Sequence, residues 1–470
     1  MCGSTCPRTP LRRPCRPAPP DADGGYRARG GLDTLRRVHA GHADLASALE
    51  HGRRRLADER DQALAAEIAL GTLRWRAALD HAIEWAGNRA IGAFDADVLD
   101  ILRLSAYQLL HLDRVPAAAV VNDGVGLTRQ RGRASAAGAV NAILRRISRD
   151  RSRLPMPAAS DPLAYLSITW SHPAWLVNRW IDRYGFDAAL EWVRLNNAAA
   201  PVTLRANTLL TSRDALAESL ERHGVRTRAC LYAPDGLVVE SGRPFSTSMS
   251  GSGQFLAQDE ASQLVGAFAA PPPGSRVADA CAAPGGKTAQ LAAAIGDRGL
   301  LVAGDLRSRR IRLLRQTLAA ARITSADVVC HDLLGGLPFG PVFDCVLVDA
   351  PCSSLGTIRR DPDIRWSRRE DDLTALAGRQ RRMLEEAARG VRTGGMLVYA
   401  TCSSEPEENE AVVGAFLDRC PEFALEDPRD AGPGLPAGVR ACLDERGCLR
   451  TLPHRHALEA FFAARLRRRR

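Results

Sequence analysis

From Pro271 onward the chain alternates short apolar runs with amphipathic ones, the apolar set falling at 276–280, 299–304, 326–330, 343–349 and 395–401. Apolar runs of this length read as strands, and the longer amphipathic pieces between them read as helices. Such alternation leaves few choices of fold: a mostly parallel sheet with helices on both faces. Ligands of these sheets sit beyond the C-terminal ends of the strands. The residues with chemical character stand at those ends.

The first run leads into Asp279-Ala-Cys-Ala-Ala-Pro-Gly-Gly-Lys-Thr288. That is the strand, glycine turn and helix order of a nucleotide site. Gly285 and Gly286 let a ligand approach the backbone, and the helix behind them offers free N–H groups and a positive dipole end. An ordinary tight turn is the alternative. Of the 64 Lys and Arg residues only Lys287 is lysine, which points to a compact ammonium that a guanidinium does not replace. Asp305 ends the second run, 19 residues after Gly286, an offset at which an acid binds ribose hydroxyls. S-adenosylmethionine and NAD both satisfy that step. Asp332 follows the third run and Asp349 the fourth; each acid taken alone is equally a helix or turn cap. Two cysteines, Cys352 and Cys402, also stand at strand ends, and either alone reads as a small buried hydrophobe.

These ten residues, with Asp349-Ala-Pro-Cys352 and Ala400-Thr-Cys-Ser403, resemble the RNA cytosine-5 methyltransferases, most of all their bacterial RsmB (Sun) branch, which acts on small-subunit (16S) ribosomal RNA. The resemblance runs from about Gly31 to the end. It implies a Rossmann-like α/β methyltransferase domain at 271–470 that uses S-adenosylmethionine. Cys281, Ala282, Ala283, Pro284, Gly285, Gly286, Lys287, Asp305, Asp332 and Asp349 are the cofactor-binding residues it implies. It makes Cys402 the nucleophile and Cys352 the thiol that assists product release, with Lys287 and Asp349 facing the target base. The chemistry needs a thiol, because carbon-5 of cytosine is a poor nucleophile until a thiolate adds at carbon-6. Ser404-Glu405-Pro406-Glu407 reads as a capping box placing a helix start beside Cys402, whereas Glu405, Glu407 and Glu408 oppose a thiolate there.

Upstream, residues 1–30 read as a disordered basic tail. Residues 31–150 read as helices, with stripes such as Val98, Ile101, Leu102, Ser105, Leu109 and Leu112, and Pro116 separates two of them. They resemble the NusB-like RNA-binding domain found at the front of the RsmB branch. Residues 161–270 read as a helical linker followed by strand-like pieces at 201–207 and 237–240, which in the family form a ferredoxin-like RNA-binding subdomain. Arg205, Arg359, Arg360 and Arg365 are the candidate RNA contacts, and Trp366 a core residue. The sequence departs from the family at Ser354, often glycine, and at 457–460, usually a Gly-Thr-Asp-Gly-like piece.

A net charge of +10 favours an anionic partner. Twelve cysteines without a Cys-x-x-Cys pair exclude a disulfide scaffold and fit a reducing cytoplasm. No membrane partner and no metal is expected; the spacing of Cys442, Cys448, His454 and His456 fits no common zinc site. A monomer acting on ribosomal RNA is the expected state. Two alternatives stay open here: an RNA-binding assembly or antitermination factor with a vestigial catalytic half, and methylation of transfer RNA or DNA.

Overall fold

The computed structural model describes residues 25–39, 44–430 and 434–469. They fall into two compact units, one ending at Pro155 and one running from Met156. Most of the expected 1–30 tail lies outside the described residues; Gly25 already opens a helix, Gly25–His39.

The first unit is all helical, with six further α-helices after Gly25–His39: Leu45–Arg53, Glu59–Arg74, Arg76–Gly87, Ala96–His111, Ala117–Gln130 and Ala137–Arg149. Asp44, Asp58 and Asp95 accept from first-turn amides and start three of them. Pro116 occupies the cap position before Ala117–Gln130. Of the stripe from Val98 to Leu112, Val98, Leu102 and Leu109 are buried in one cluster with Leu79, Ile83, Val140 and Leu144, and Ile101 in another with Leu32, Leu35 and Ile68.

The second unit opens with helices Ala174–Tyr184 and Phe186–Asn197, whose Trp180 and Trp192 stack 4.9 Å apart in the core. Four antiparallel strands follow: β1 (Thr203–Ala206), β2 (Arg226–Ala229), β3 (Gly236–Ser241) and β4 (Phe255–Ala257), ordered β2-β3-β1-β4. The large sheet comprises β5 (Arg276–Asp279), β6 (Leu300–Asp305), β7 (Ala326–Cys330), β8 (Phe343–Asp349), β9 (Val391–Thr401), β10 (Phe423–Glu426), β11 (Leu449–Thr451) and β12 (Phe461–Arg468). Its order is β10-β12-β9-β8-β5-β6-β7, with β11 on β12. The five strands from β9 to β7 are parallel, and β12 runs antiparallel to β9 and β10. Cys345, Val346, Leu347 and Val348 are buried on both faces of β8, as a central parallel strand requires. Each such side chain stabilises the fold by about 1.5–3 kcal/mol. Chain order reverses between β5 and β8, so the crevice over their C-terminal ends is the switch point where this architecture holds ligands.

Among the described residues no helix is long and apolar enough to cross a membrane. All nine described cysteines are free thiols, and no group of three or more His, Cys, Asp and Glu among those residues is placed to hold a metal.

Candidate active site

The glycine turn lies at the end of β5. Gly285 has φ +110°, and a Cβ there would lie 2.9 Å from Leu314, so only glycine makes this turn. Thr288 Oγ1 donates to buried Asp279 at 2.7 Å and pins the helix Gly286–Ala294 to the strand. Burial pushes the Asp279 carboxyl up to about 7.

Beside the turn is a cleft of about 370 Å³ lined by Cys281, Ala283, Asp305, Asp332, Asp349, Cys352 and Cys402. Asp305 is buried and accepts from the amides of Ala283 and Arg307, each at 3.3 Å. Asp332 caps a short turn through Leu334 N at 3.0 Å and also lines the cleft. Lys287 Nζ donates to Asp349 Oδ2 at 2.9 Å. Burial works against that ammonium, but Asp349 outweighs it and holds its pKa above the ordinary value.

The Cys352 and Cys402 sulfurs stand 3.3 Å apart, because β8 and β9 are parallel neighbours with Asp349 opposite Ala400. Hydrogen bonding from Cys352 holds the Cys402 thiol below the ordinary range, helped by Ser354 and Lys287 and opposed by burial and Asp349. The same bond, with burial, pushes Cys352 well up. The shared bond thus favours a thiolate at Cys402 over one at Cys352.

Three expectations are corrected. Ser404–Glu407 forms no capping box: Pro406–Glu408 is a short 3₁₀ turn, and the α-helix starts only at Glu410. Arg179 draws Glu405 at 2.7 Å and Glu407 at 2.7 Å, and Arg183 bonds Ser404 O at 3.1 Å. Two of the three acids expected to oppose the thiolate, Glu405 and Glu407, are thus bound elsewhere, while Glu408 stays beside the cysteines. Arg205 is not an RNA contact: it is 3% exposed and donates to Gly286 O at 2.8 Å and Gln290 at 3.2 Å, tying β1 to the glycine turn. Arg365 is 0% exposed and bonds Ser171 O and Asn197, while Trp366 is only half-buried; the guanidinium takes the interior place expected for the indole. Arg360 pairs with Asp259 at 2.6 Å and Glu459 at 3.0 Å. Arg359 is half-buried and donates to Ala199 O.

The residues missed are Arg310, which reaches Ala283 O at 2.5 Å beside Asp305, and Arg379 at the cleft; Glu408, expected only as an opposing acid, is buried between Ser353 and Ser403. Nothing in the run Glu405 to Asn409 distinguishes its buried acid from its paired ones.

Residues 267–467 match the family described as 16S rRNA methyltransferase RsmB/F, residues 32–149 the NusB family, and residues 172–246 the RsmF/B-like ferredoxin-like domain. The chain is 36% identical to the ribosomal RNA small subunit methyltransferase B of Pseudomonas putida over 88% of its own length and 94% of the relative's. Among solved structures it resembles PH0851, with a TM-score of 0.78 at 26% identity over 94% of this chain and 98% of that one. It also resembles a methyltransferase homologue from Pyrococcus horikoshii, with a TM-score of 0.56 at 29% identity over 66% of this chain and all of the other. The all-helical domain, the small α+β subdomain and the Rossmann-like domain are therefore the family's own arrangement, and the chain belongs to the RsmB/F family of small-subunit ribosomal RNA methyltransferases.

Proposed function

We propose that this chain methylates carbon-5 of a cytosine in 16S ribosomal RNA through a covalent bond between Cys402 and the base. The observation that carries the reading is the pair of sulfurs 3.3 Å apart in the lining of the cleft, with the thiolate favoured at Cys402.

S-adenosylmethionine fits the residues present. Asp305 uses its oxygens on two amides and has acceptor capacity left for ribose hydroxyls. The volume is that of a small-molecule cofactor pocket. Cys281 to Lys287 would line its amino-acid and ribose portion, with Asp332 toward the adenine. When bound, it supplies an electrophilic methyl on a sulfonium.

The chain's own residues do the rest. The target base has to leave any stack to enter the pocket. Cys402 Sγ adds to carbon-6, and the electron pair shifts onto the ring, making carbon-5 enamine-like. Lys287 and Asp349, joined at 2.9 Å, face the base edge and favour its protonation as charge develops. After methyl transfer, the carbon-5 proton leaves and Cys402 is eliminated, with Cys352 assisting that release.

RNA carrying 5-fluorocytosine at the target tests this. The fluorine cannot leave as a proton does, so wild-type enzyme is expected to stop as a covalent adduct on a denaturing gel, and Cys402→Ala to give neither adduct nor methylated product. Full activity in Cys402→Ala removes the assignment. Cys352→Ala is expected to accumulate adduct on unmodified RNA; normal turnover without adduct refutes its part.

A further inference from the structure

We propose that Glu408 is the positioning residue of the two-thiol site, its carboxylate tying the loop after Cys352 to the loop after Cys402 and so settling which sulfur attacks. This rests on the reading that the two cysteines act together.

Glu408 is 0% exposed. Its Oε2 accepts from Ser353 Oγ and from Ser403 Oγ, each at 2.5 Å, and these are the residues directly after Cys352 and Cys402. Its Oε1 accepts from Ser353 N and from Gln380 Nε2, each at 2.8 Å. Gln380 in turn donates to Pro351 O, directly before Cys352, at 3.0 Å. The Glu408 carbonyl accepts from Tyr399 on β9 at 2.6 Å. One buried group therefore holds both loops from a fixed point.

The serines themselves show that the carboxylate sets the spacing. Their oxygens are 3.2 Å apart, and each lies closer still to Oε2, at 2.5 Å. The two serines therefore meet at a shared acceptor. The sulfurs one residue back, already on neighbouring strand ends, stand on the two loops that this acceptor ties together.

The charge adds a second effect. Glu408 disfavours a thiolate at Cys352 and is not among the leading influences on Cys402. It therefore favours keeping the proton on Cys352. Carboxylate bonds of this kind are stronger and shorter than neutral ones, so an amide of the same shape loses the charge and turns one of the two acceptors into a donor.

The test uses the full chain with Glu408→Gln and Glu408→Asp. S-adenosylmethionine binding by calorimetry checks that each variant is folded. Iodoacetamide labelling, read by peptide mass spectrometry, gives the ratio of Cys402 to Cys352 modification. Wild type is expected to label mainly at Cys402. Glu408→Gln is expected to shift the ratio toward Cys352 by about tenfold, as a one-unit change in thiol acidity would, and to lose kcat with KM for RNA little changed. Glu408→Asp, which keeps the charge, is expected to restore the ratio in part. A folded Glu408→Gln with wild-type ratio and kcat overturns the proposal. Should Glu408→Gln lose cofactor binding, Ser353→Ala and Ser403→Ala carry the test: lower kcat at unchanged KM supports it, and wild-type kcat in both overturns it. Absence of a 5-fluorocytosine adduct in wild type sinks the two-thiol reading itself, whereas a normal wild-type adduct with an unaffected Glu408→Gln sinks only the role of Glu408.

Discussion

The amide of Gly356 donates to the carbonyl of Cys402 at 2.9 Å, and the Gly356 carbonyl accepts from Ala460 N at 3.0 Å. Gly356 thus holds the loop after β8, the loop after β9 and the approach to β12 on one backbone. A Cβ here would lie 1.9 Å from Ala460 O and 2.8 Å from Cys402 O. Both obstacles are backbone, so neither swings aside. Gly356→Ala is expected to destabilise the fold by about 2–4 kcal/mol, as overpacking and broken backbone bonds do. It is also expected to lower adduct formation more than cofactor affinity. Thermal unfolding and calorimetry check both; a variant as stable as wild type refutes the tight fit.

Hydrogen bonding from Cys352 is the largest influence holding Cys402 low. The thiolate fraction falls as pH drops through the thiol pKa, so the acid limb of Cys402 reactivity is expected below the ordinary thiol value of about 8.5. Cys352→Ala removes that donor, so the limb moves to higher pH. On the acid side of both limbs, a displacement of one pH unit slows alkylation of Cys402 about tenfold. The pH profile of iodoacetamide labelling at Cys402 measures this without requiring turnover. A limb that stays put, or moves to lower pH, contradicts the assignment of the shared proton.

Much of this site is legible in the sequence because its parts are local. The five parallel strands show as apolar runs, the turn as Gly285 and Gly286, and the acids and thiols as residues at strand ends. What escapes depends on contacts between residues far apart in the chain. Arg205 alternates with its neighbours like any surface strand residue, and only the packing of β1 against the helix Gly286–Ala294 buries it. Arg365 lies in a basic run that reads as a phosphate grip, but Ser171, Asn196 and Asn197 supply oxygens for it in the interior. Ser404 and Glu407 have the spacing of a capping box, but Arg179, more than 200 positions away, takes Glu407 and its neighbour Glu405. The short strands β2, β4, β10 and β11 carry too few residues to show a period.

Arg179 yields a prediction of its own. Its guanidinium meets Glu405, Glu407 and Glu370 at 2.7, 2.7 and 3.0 Å, and the Glu405 side chain is fully buried. Arg179→Met would leave Glu405 with Arg183 at 3.4 Å as its remaining ion-pair partner, beside the Ser404 hydroxyl at 2.8 Å. Removing one partner from a buried carboxylate costs about 3–5 kcal/mol; Arg183 and partial exposure of the site reduce this to about 2 kcal/mol. Adding Glu405→Gln to Arg179→Met is expected to recover part of the loss, since no unpaired charge then remains. Urea unfolding of the two single variants and the double measures the coupling; simple additivity argues against the pair.

Two of the departures from the family's glycines fall on left-handed backbone: Ser354 has φ +62° and Ala457 φ +55°. A side chain in that region costs about 1–2 kcal/mol, partly offset because glycine loses more freedom on folding. Ala457 is exposed, so its methyl gives up little burial on removal. Ala457→Gly is therefore expected to stabilise the chain by about 0.5–1 kcal/mol and to leave thiol reactivity unchanged. Ser354 differs because its side chain hydrogen-bonds Cys402 and helps hold that thiol low. Ser354→Gly is expected to gain similar stability while moving the acid limb of Cys402 labelling to higher pH. The two variants thus separate backbone strain from thiolate support. Equal labelling profiles in both would show that the Ser354 hydroxyl contributes nothing to Cys402, and an unchanged melting temperature in Ala457→Gly would show that the strain is absent.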